Sequence, residues 1–444
     1  MKNKLKLSHI QIIAIGFAIM ILIGTFLLML PISSKTGETT SFLNALFTAT
    51  SASCVTGLVV KDTSIYWSNF GQTIILILIQ IGGLGFMTIA TIFFLLLKKK
   101  MNLKERELLT ESINYTNVGE VLRLTKKIII GTLIVELLGA LLLSIRFIPQ
   151  FGAYGIWMAI FHSISAFCNA GFDLMGQFFG EYSSFVYYCN DWLVCLVIMS
   201  LIIIGGIGFI VWDDIITYKF NIKKYHLHSK IVLTMSSILI IGGALLFLLT
   251  EKNNYMSNAR IFQNVLTSLF ASVTARTAGF NTLDLAKMSE SGKLVSIILM
   301  IIGGSPGSTA GGVKTTTLFI LIIYSISYIK KSEISIYKRS LDESLLKKAI
   351  SIFLINISLG ITATIIIGSM QSMPIIDVLF ETFSAVGTVG MTTGITRNLN
   401  MVSKIILIFL MYCGRVGSVS FATAITGKKI SPKVKYATEK IIIG

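Results

Sequence analysis

Four stretches of this 444-residue chain set a glycine among small and hydroxyl-bearing residues at nearly constant spacing. They read Cys54-Val55-Thr56-Gly57-Leu58, Cys168-Asn169-Ala170-Gly171-Phe172, Arg276-Thr277-Ala278-Gly279-Phe280 and Thr388-Val389-Gly390-Met391-Thr392, with their glycines 114, 108 and 111 positions apart. No nucleophile–base pair or metal-ligand spacing accompanies them, so the chemistry on offer belongs to the backbone. Glycine accepts the strained dihedrals that aim successive carbonyl oxygens toward one axis. Rings of such oxygens can replace the hydration shell of a potassium ion. That chemistry requires Val55, Thr56 and Gly57, Asn169, Ala170 and Gly171, Thr277, Ala278 and Gly279, and Thr388, Val389 and Gly390 to meet as one filter. For a single copy, a glycine at a tight helix–helix contact is the plainer reading. The fourfold register, and the element that precedes each copy, favour the filter.

Each glycine follows a short apolar run: FLNALFTATSAS, WMAIFHSISAF, FQNVLTSLFASVTA and IIDVLFETFSAVG. An apolar residue recurs ten positions before the glycine, at Phe47, Phe161, Leu269 and Phe380. Twelve helical residues reach only about 18 Å, short of the ~30 Å hydrocarbon core of a bilayer. The spacing therefore predicts half-helices that enter from one side, stop, and return. Irregular backbone at that depth must be buried or line water, which four units around a common axis would achieve. Entering from outside, each half-helix would aim its C-terminal end, with roughly half a negative charge, at the membrane centre. That field favours a cation.

Longer apolar runs at 10–30, 73–97, 128–148, 189–211, 231–250, 294–328, 345–368 and 405–425 predict eight spanning helices. The expected fold is an all-α polytopic membrane protein of four pseudo-repeated units around one pore. Each unit comprises an outer helix, a half-helix, a filter loop and an inner helix. The units are 1–100, 101–220 with a cytoplasmic connector at 102–127, 221–340 and 341–427, followed by a C-terminal tail at 428–444. Composition agrees: 54% of residues are hydrophobic and 13% charged, where soluble chains carry about 25% charged residues. The start, MKNKLKLSHIQII, has the look of a signal peptide, but its apolar run to Leu30 is too long and lacks a small-residue cleavage site. It is expected to stay as the first helix.

A net charge of +17 raises the question of nucleic acid. However, 26 of the 38 Lys and Arg fall in 1–9, 98–127, 213–230, 330–348 and 428–444, all on one side of the expected membrane. This positive-inside asymmetry puts both termini in the cytoplasm. It leaves no call for a nucleic-acid partner, and anionic lipid fits such loops.

The third inner run is interrupted. Gly303, Gly304, Ser305, Pro306, Gly307, Ser308, Thr309, Ala310, Gly311 and Gly312 cannot continue a helix cheaply. Their place just inside the filter predicts a flexible gate, ending at Lys314. Residues 307–315 approach the phosphate-loop pattern, but Val313 intrudes before Lys314 and no strand is predicted upstream. Arg415, midway along the last run, is a charge at a depth that costs about 2.5–3.5 kcal/mol. It is expected to project into the path and slow cations; the alternative is a pair with Glu136 or a loop carbonyl. Arg276 is expected to bond pore-loop carbonyls, and Asp377 and Glu381, near the outer mouth, to be solvated, with the concentration of cations there as the alternative.

The four filter segments, TARTAGFN at Thr274–Asn281, IIGGSPGSTAGGVKTTT at Ile301–Thr317 and the IIIG ending together resemble the membrane subunit of the Ktr potassium-uptake systems, the KtrB type. Those systems belong to the Trk/Ktr/HKT superfamily. The resemblance spans nearly the whole chain. It implies potassium uptake across a bacterial plasma membrane, gated by the intramembrane loop, with no covalent cofactor. It also implies a homodimer seated on a cytoplasmic nucleotide-binding regulatory ring of the KtrA/KtrC type. One glycine per unit implies less strict selectivity than a potassium channel's longer signature, so sodium remains a second candidate ion. A sodium/potassium symporter, or a less selective monovalent cation transporter, stays open. Parallel repeats favour a channel-like path over the inverted repeats of an alternating-access carrier. No enzyme is expected.

Overall fold

The computed structural model describes residues 8–85, 88, 103–112, 120–254, 260–331, 335–336, 339–340 and 342–417. The tail at 428–444 with its IIIG ending, residues 113–119 of the connector and the far ends of the runs at 73–97 and 405–425 lie outside the described residues. Helix dominates. The strands among the described residues form a two-residue hairpin, β1 (Ser335–Ile336) antiparallel to β2 (Arg339–Ser340).

One element order recurs four times. The first unit has α1 (His9–Met29), the half-helix α2 (Phe42–Ser53) and α3 (Asn69–Leu84). After the connector helix α4 (Leu103–Ser112), the second has α5 (Val121–Phe151), α6 (Tyr154–Phe167), α7 (Trp192–Gly206) and α8 (Phe209–Tyr218). The third has α9 (Leu227–Glu251), α10 (Ile261–Thr274), α11 (Glu290–Ile301) and α12 (Thr315–Lys330). The fourth has α13 (Glu343–Met370), α14 (Ile375–Gly387) and α15 (Met401–Val416).

The first helix of each unit is the long one. Gln11–Met29, Val121–Phe151, Leu227–Glu251 and Glu343–Met370 are each long and apolar enough to cross a membrane. Their outward faces carry bare apolar side chains at helical spacing, such as Leu133, Leu137 and Leu141, each more than half exposed. In water a contiguous face of that kind would be a liability; in lipid it is the solvated state. The half-helices, at 12, 14, 14 and 13 residues, are too short to follow.

Each inner helix begins at a capping side chain. Ser68 accepts from Gly71 N, Asp191 from Leu193 N and Val194 N, Ser289 from Gly292 N, and Asn400 from Ser403 N. Such caps contribute about 1 kcal/mol each. The inner helices do not run on as the uninterrupted crossings that their apolar sequence suggests. The first stops at Gly85 (φ +84°) and the fourth at Gly417 (φ +94°). Helix α7 turns by 98° into α8 through Gly208 (φ +96°). A short motif carries these breaks: Gly82-Gly83-Leu84-Gly85, Gly205-Gly206-Ile207-Gly208 and Gly414-Arg415-Val416-Gly417. The leading glycine of each backs onto a carbonyl at the end of a half-helix, Ser53 O, Phe167 O or Val386 O, where a Cβ would collide. The third unit differs by opening into the long loop at 302–314.

The units close into a ring. Each half-helix packs on its own outer helix and on the inner helix of the preceding unit: α3 on α6, α7 on α10, α11 on α14 and α15 on α2.

Candidate functional site

The four glycine-bearing segments meet where that ring closes. A Cβ added to Gly57 would lie 3.1 Å from Gly171 Cα; one on Gly171 would lie 2.9 Å from Gly279 Cα. One on Gly279 would lie 3.3 Å from Gly390 Cα, and one on Gly390 would lie 2.8 Å from Gly57 Cα. The chain of close approaches goes once around and returns. At each step the same Cβ would press on a neighbouring carbonyl: Ala170 O, Ala278 O, Val389 O and Thr56 O in turn. No side chain larger than hydrogen fits any of the four places.

Backbone dihedrals repeat with the same order. The residue two before each glycine is left-handed, at Val55 (φ +56°), Asn169 (+59°), Thr277 (+74°) and Thr388 (+51°). The glycines themselves take φ +90°, +69°, +82° and +89°. Such values at non-glycine residues are strained and persist only where surrounding structure enforces them. Alternating the sign of φ along a strand turns successive carbonyls to one side, where a regular strand would send them to opposite sides.

Side chains of the half-helices do the enforcing. Ser51 O accepts from Thr56 N at 2.8 Å, and Ser51 Oγ from Gly57 N at 3.0 Å. Ser384 repeats both bonds, to Val389 N at 2.8 Å and Gly390 N at 3.0 Å. Ser165 O accepts from Ala170 N at 2.8 Å while its hydroxyl donates to Phe172 O at 2.7 Å. In the third unit Thr274, one residue nearer its glycine, accepts from Ala278 N at 2.9 Å and donates to Phe280 O at 2.7 Å. These four anchors were not singled out from sequence. Their signal was a hydroxyl residue six, six, five and six positions before the glycine.

The loop at 303–312 sits against the inner ends of the half-helices. It is pinned at both ends by Gly303 N to Val313 O (2.8 Å) and Thr315 N to Gly304 O (3.1 Å). Its middle is tied to the bend of the second inner helix. Ser305 N donates to Gly206 O at 3.0 Å, Thr309 N to Gly205 O at 3.3 Å, and Phe209 N to Gly307 O at 2.7 Å. Thr309 Oγ1 reaches Phe167 O at 3.1 Å, and Gly311 lies against the Thr388 side chain. A helix, α11, leads into the loop.

Arg415 clamps this layer. Its guanidinium donates to Thr309 O, to Gly82 O (2.5 Å) and to Gly83 O (3.0 Å), joining the fourth inner helix to the loop and to the first inner helix. Of the two partners considered from sequence, the loop carbonyl is the one it meets; Glu136 instead accepts from Gln80 Nε2 at 3.1 Å. Lys314 Nζ folds back onto Ala310 O at 2.7 Å.

Three other expectations change. Arg276 donates to a hydroxyl on its unit's outer helix, Ser236 Oγ at 3.3 Å, in place of the expected pore-loop carbonyl. Glu381 is buried rather than solvated, accepting from Thr392 Oγ1 at 2.7 Å and from Thr396 Oγ1. Asp377 is paired with Lys293 at 2.8 Å. On the side opposite the loop, a cavity of about 560 Å³ opens over the ring, lined by the four glycines together with Asp173, Glu181 and Arg397.

Comparison with known proteins agrees with this architecture. The sequence profile of the TrkH family, described as Cation transport protein, matches residues 8–435. The chain is 42% identical to the "Potassium/sodium uptake protein NtpJ" of Enterococcus hirae, covering 99% of this chain and 98% of that protein. It is 39% identical to the "Ktr system potassium uptake protein B" of Bacillus subtilis (98% and 96% covered) and 33% identical to the protein of the same name from Vibrio alginolyticus (100% and 96%). The crystal structure of the potassium transporter TrkH from Vibrio parahaemolyticus superposes with a TM-score of 0.73 at 17% identity, over 95% of this chain and 85% of that one. This is a multi-pass membrane protein, and it belongs to the TrkH family of cation transport proteins.

Proposed function

We propose that this chain takes up potassium through the axis of its four-segment ring, with the backbone carbonyls of 55–57, 169–171, 277–279 and 388–390 standing in for water around the ion. The closed circuit of glycine contacts carries this reading. A hydrated monovalent cation can shed its shell only where several oxygens surround it at once, and four strands with alternating dihedrals around one axis supply that. The relatives named above as a potassium/sodium uptake protein and as potassium uptake proteins support the choice of ion.

In this reading the four units contribute eight crossings, four of them broken, and both termini lie in the cytoplasm of a bacterial cell. The loop at 303–312, held by Arg415 with Lys314 at its end, is the gate beneath the filter. No covalent cofactor is required; potassium is cargo. The Ktr names of two relatives favour association with other Ktr components; the resemblance in sequence adds a cytoplasmic nucleotide-binding ring and a homodimer to this reading, with lipid around the bare outer helices. A second reading, in which sodium moves with or in place of potassium, draws on the name of the Enterococcus hirae relative.

Purified protein in proteoliposomes, offered potassium, sodium and lithium in turn, tests the proposal. Potassium-dependent flux carried by the chain alone is the expected result. Equal flux of all three ions would refute carbonyl selection, and sodium-dependent potassium flux would favour the second reading.

A further inference from the structure

The path from each filter glycine to the cap of the following inner helix is 11, 20, 10 and 10 residues long. The second unit thus carries about ten extra residues on the outer side. They form a short helix, Gly176–Phe179, and then turn through Tyr182 (φ +60°) and Ser184 (φ +46°), two strained non-glycine positions. This segment reaches every other unit. Ser64 Oγ and Asp62 Oδ2 of the first unit accept from Gln177 N and Tyr182 N, each at 2.8 Å. Ser184 Oγ accepts from Asn281 N of the third at 3.0 Å. The fourth unit contributes Arg397, whose guanidinium carbon lies 3.6 Å from the centroid of the Tyr182 ring.

The last contact differs from the others. Asp62 is buried and bonded on several sides, whereas Arg397 is exposed and stacked on one face. Burial pushes the Tyr182 phenol up to about 12, and the neighbouring Glu181 adds to that, so the ring under the guanidinium is neutral. Arg397 shares the cavity wall with Asp173, Glu181 and the four filter glycines.

We propose that Arg397, held at the lip by Tyr182, is the fixed charge that sets how readily potassium enters the outer cavity. A positive charge in a narrow aqueous cavity lowers the concentration of cations there, and a negative charge on the same wall raises it. Potassium affinity is then a balance between the charges of Arg397 and Glu181. Tyr182 is a positioning residue: its ring keeps the guanidinium over the opening. This inference rests on the conduction path proposed above, since it needs the cavity to lead to the filter.

Rubidium uptake into proteoliposomes, measured against external rubidium, tests it. Arg397→Gln is expected to lower KM by roughly two- to fivefold, the size of a unit-charge effect across a water-filled gap. The change should sit in KM rather than in the maximal rate, and should shrink as ionic strength rises from about 10 to about 150 mM. Arg397→Lys should keep the original KM, and Glu181→Gln should move KM the opposite way. Tyr182→Leu, which leaves the charge but frees it, should shift KM partway toward that of Arg397→Gln. An unchanged KM in Arg397→Gln, or one in Arg397→Lys that matches it, would overturn the assignment. A shift insensitive to salt would do the same. Gly279→Ala in the same vesicles separates the two claims: if it retains uptake the filter reading fails, and if it loses uptake while Arg397→Gln keeps its KM, only the role of Arg397 fails.

Discussion

Two layers of this molecule lie in contact along one axis and follow opposite rules. In the filter layer the four units are nearly interchangeable: each supplies a left-handed residue, a glycine two positions on, and a hydroxyl anchor behind them. In the layer beneath, the units start from the same motif and diverge. Gly82-Gly83, Gly205-Gly206, Gly303-Gly304 and Gly414-Arg415 hold corresponding places, yet among the described residues only the third opens into a loop and only the fourth bears a charge. If the upper layer selects ions with backbone oxygens, as proposed, that task demands equal contributions from all sides. The proposed gating in the lower layer needs only one element that moves and one that holds it, so a repeat can be spent on each. In this molecule Arg415 ties the two specialised units together through Thr309 O.

The comparison breaks most readily in the symmetric layer. Gly390→Ala puts a Cβ 2.8 Å from Gly57 Cα at a φ of +89°, a conformation that alone costs on the order of 1–3 kcal/mol outside glycine. Rubidium uptake, at matched membrane abundance, is expected to fall by about 100-fold or more. Uptake within a few-fold of the original would mean that the ring is structural only.

The asymmetric layer should respond in the opposite direction. Arg415→Ala removes three charge-assisted bonds, and charged hydrogen bonds are each worth about 1.5–3 kcal/mol. Flux should rise about tenfold, the factor set by ~1.4 kcal/mol. A fall in flux with normal folding would make the residue a scaffold. Thr309→Val deletes only the bond to Phe167 O, so a rise of roughly two- to fivefold is expected, corresponding to about 1 kcal/mol or less. Combined with Arg415→Ala it should give less than the sum of the two, because both act on one loop.

Behind the filter, Ser384→Ala strips Gly390 N of its acceptor. The ratio of potassium to sodium flux should drop about two- to threefold, with the strand loosened rather than lost. The smallest effect belongs to Asn400→Ala, which removes the cap of α15. About 1 kcal/mol of stability should go, read as a lower unfolding temperature, with rubidium uptake kept.

Much of this architecture can be read from the chain before folding. The half-helices betray themselves because twelve to fourteen apolar residues are too few to span. The loop at 303–312 shows because five glycines and a proline cannot hide in a helix. The breaks at Gly85, Gly208 and Gly417 stay hidden for the opposite reason. Two or three glycines cost an apolar helix only about 1 kcal/mol each, so hydropathy runs on through them. The tertiary contacts leave no mark either: the carbonyls of Ser53, Phe167 and Val386 back onto the leading glycines Gly82, Gly205 and Gly414 from elements distant in sequence. The same applies to Arg276 and Glu381, whose partners Ser236 and Thr396 lie on other elements and leave no mark in local sequence.

One measurement reaches the central claim without relying on a variant. Crystals of the protein grown with thallium or rubidium in place of potassium would mark ions by anomalous scattering. Peaks are expected on the axis, ringed by the carbonyls of Thr56, Ala170, Ala278 and Val389. Density confined to the outer cavity, with none between those four oxygens, would contradict the account.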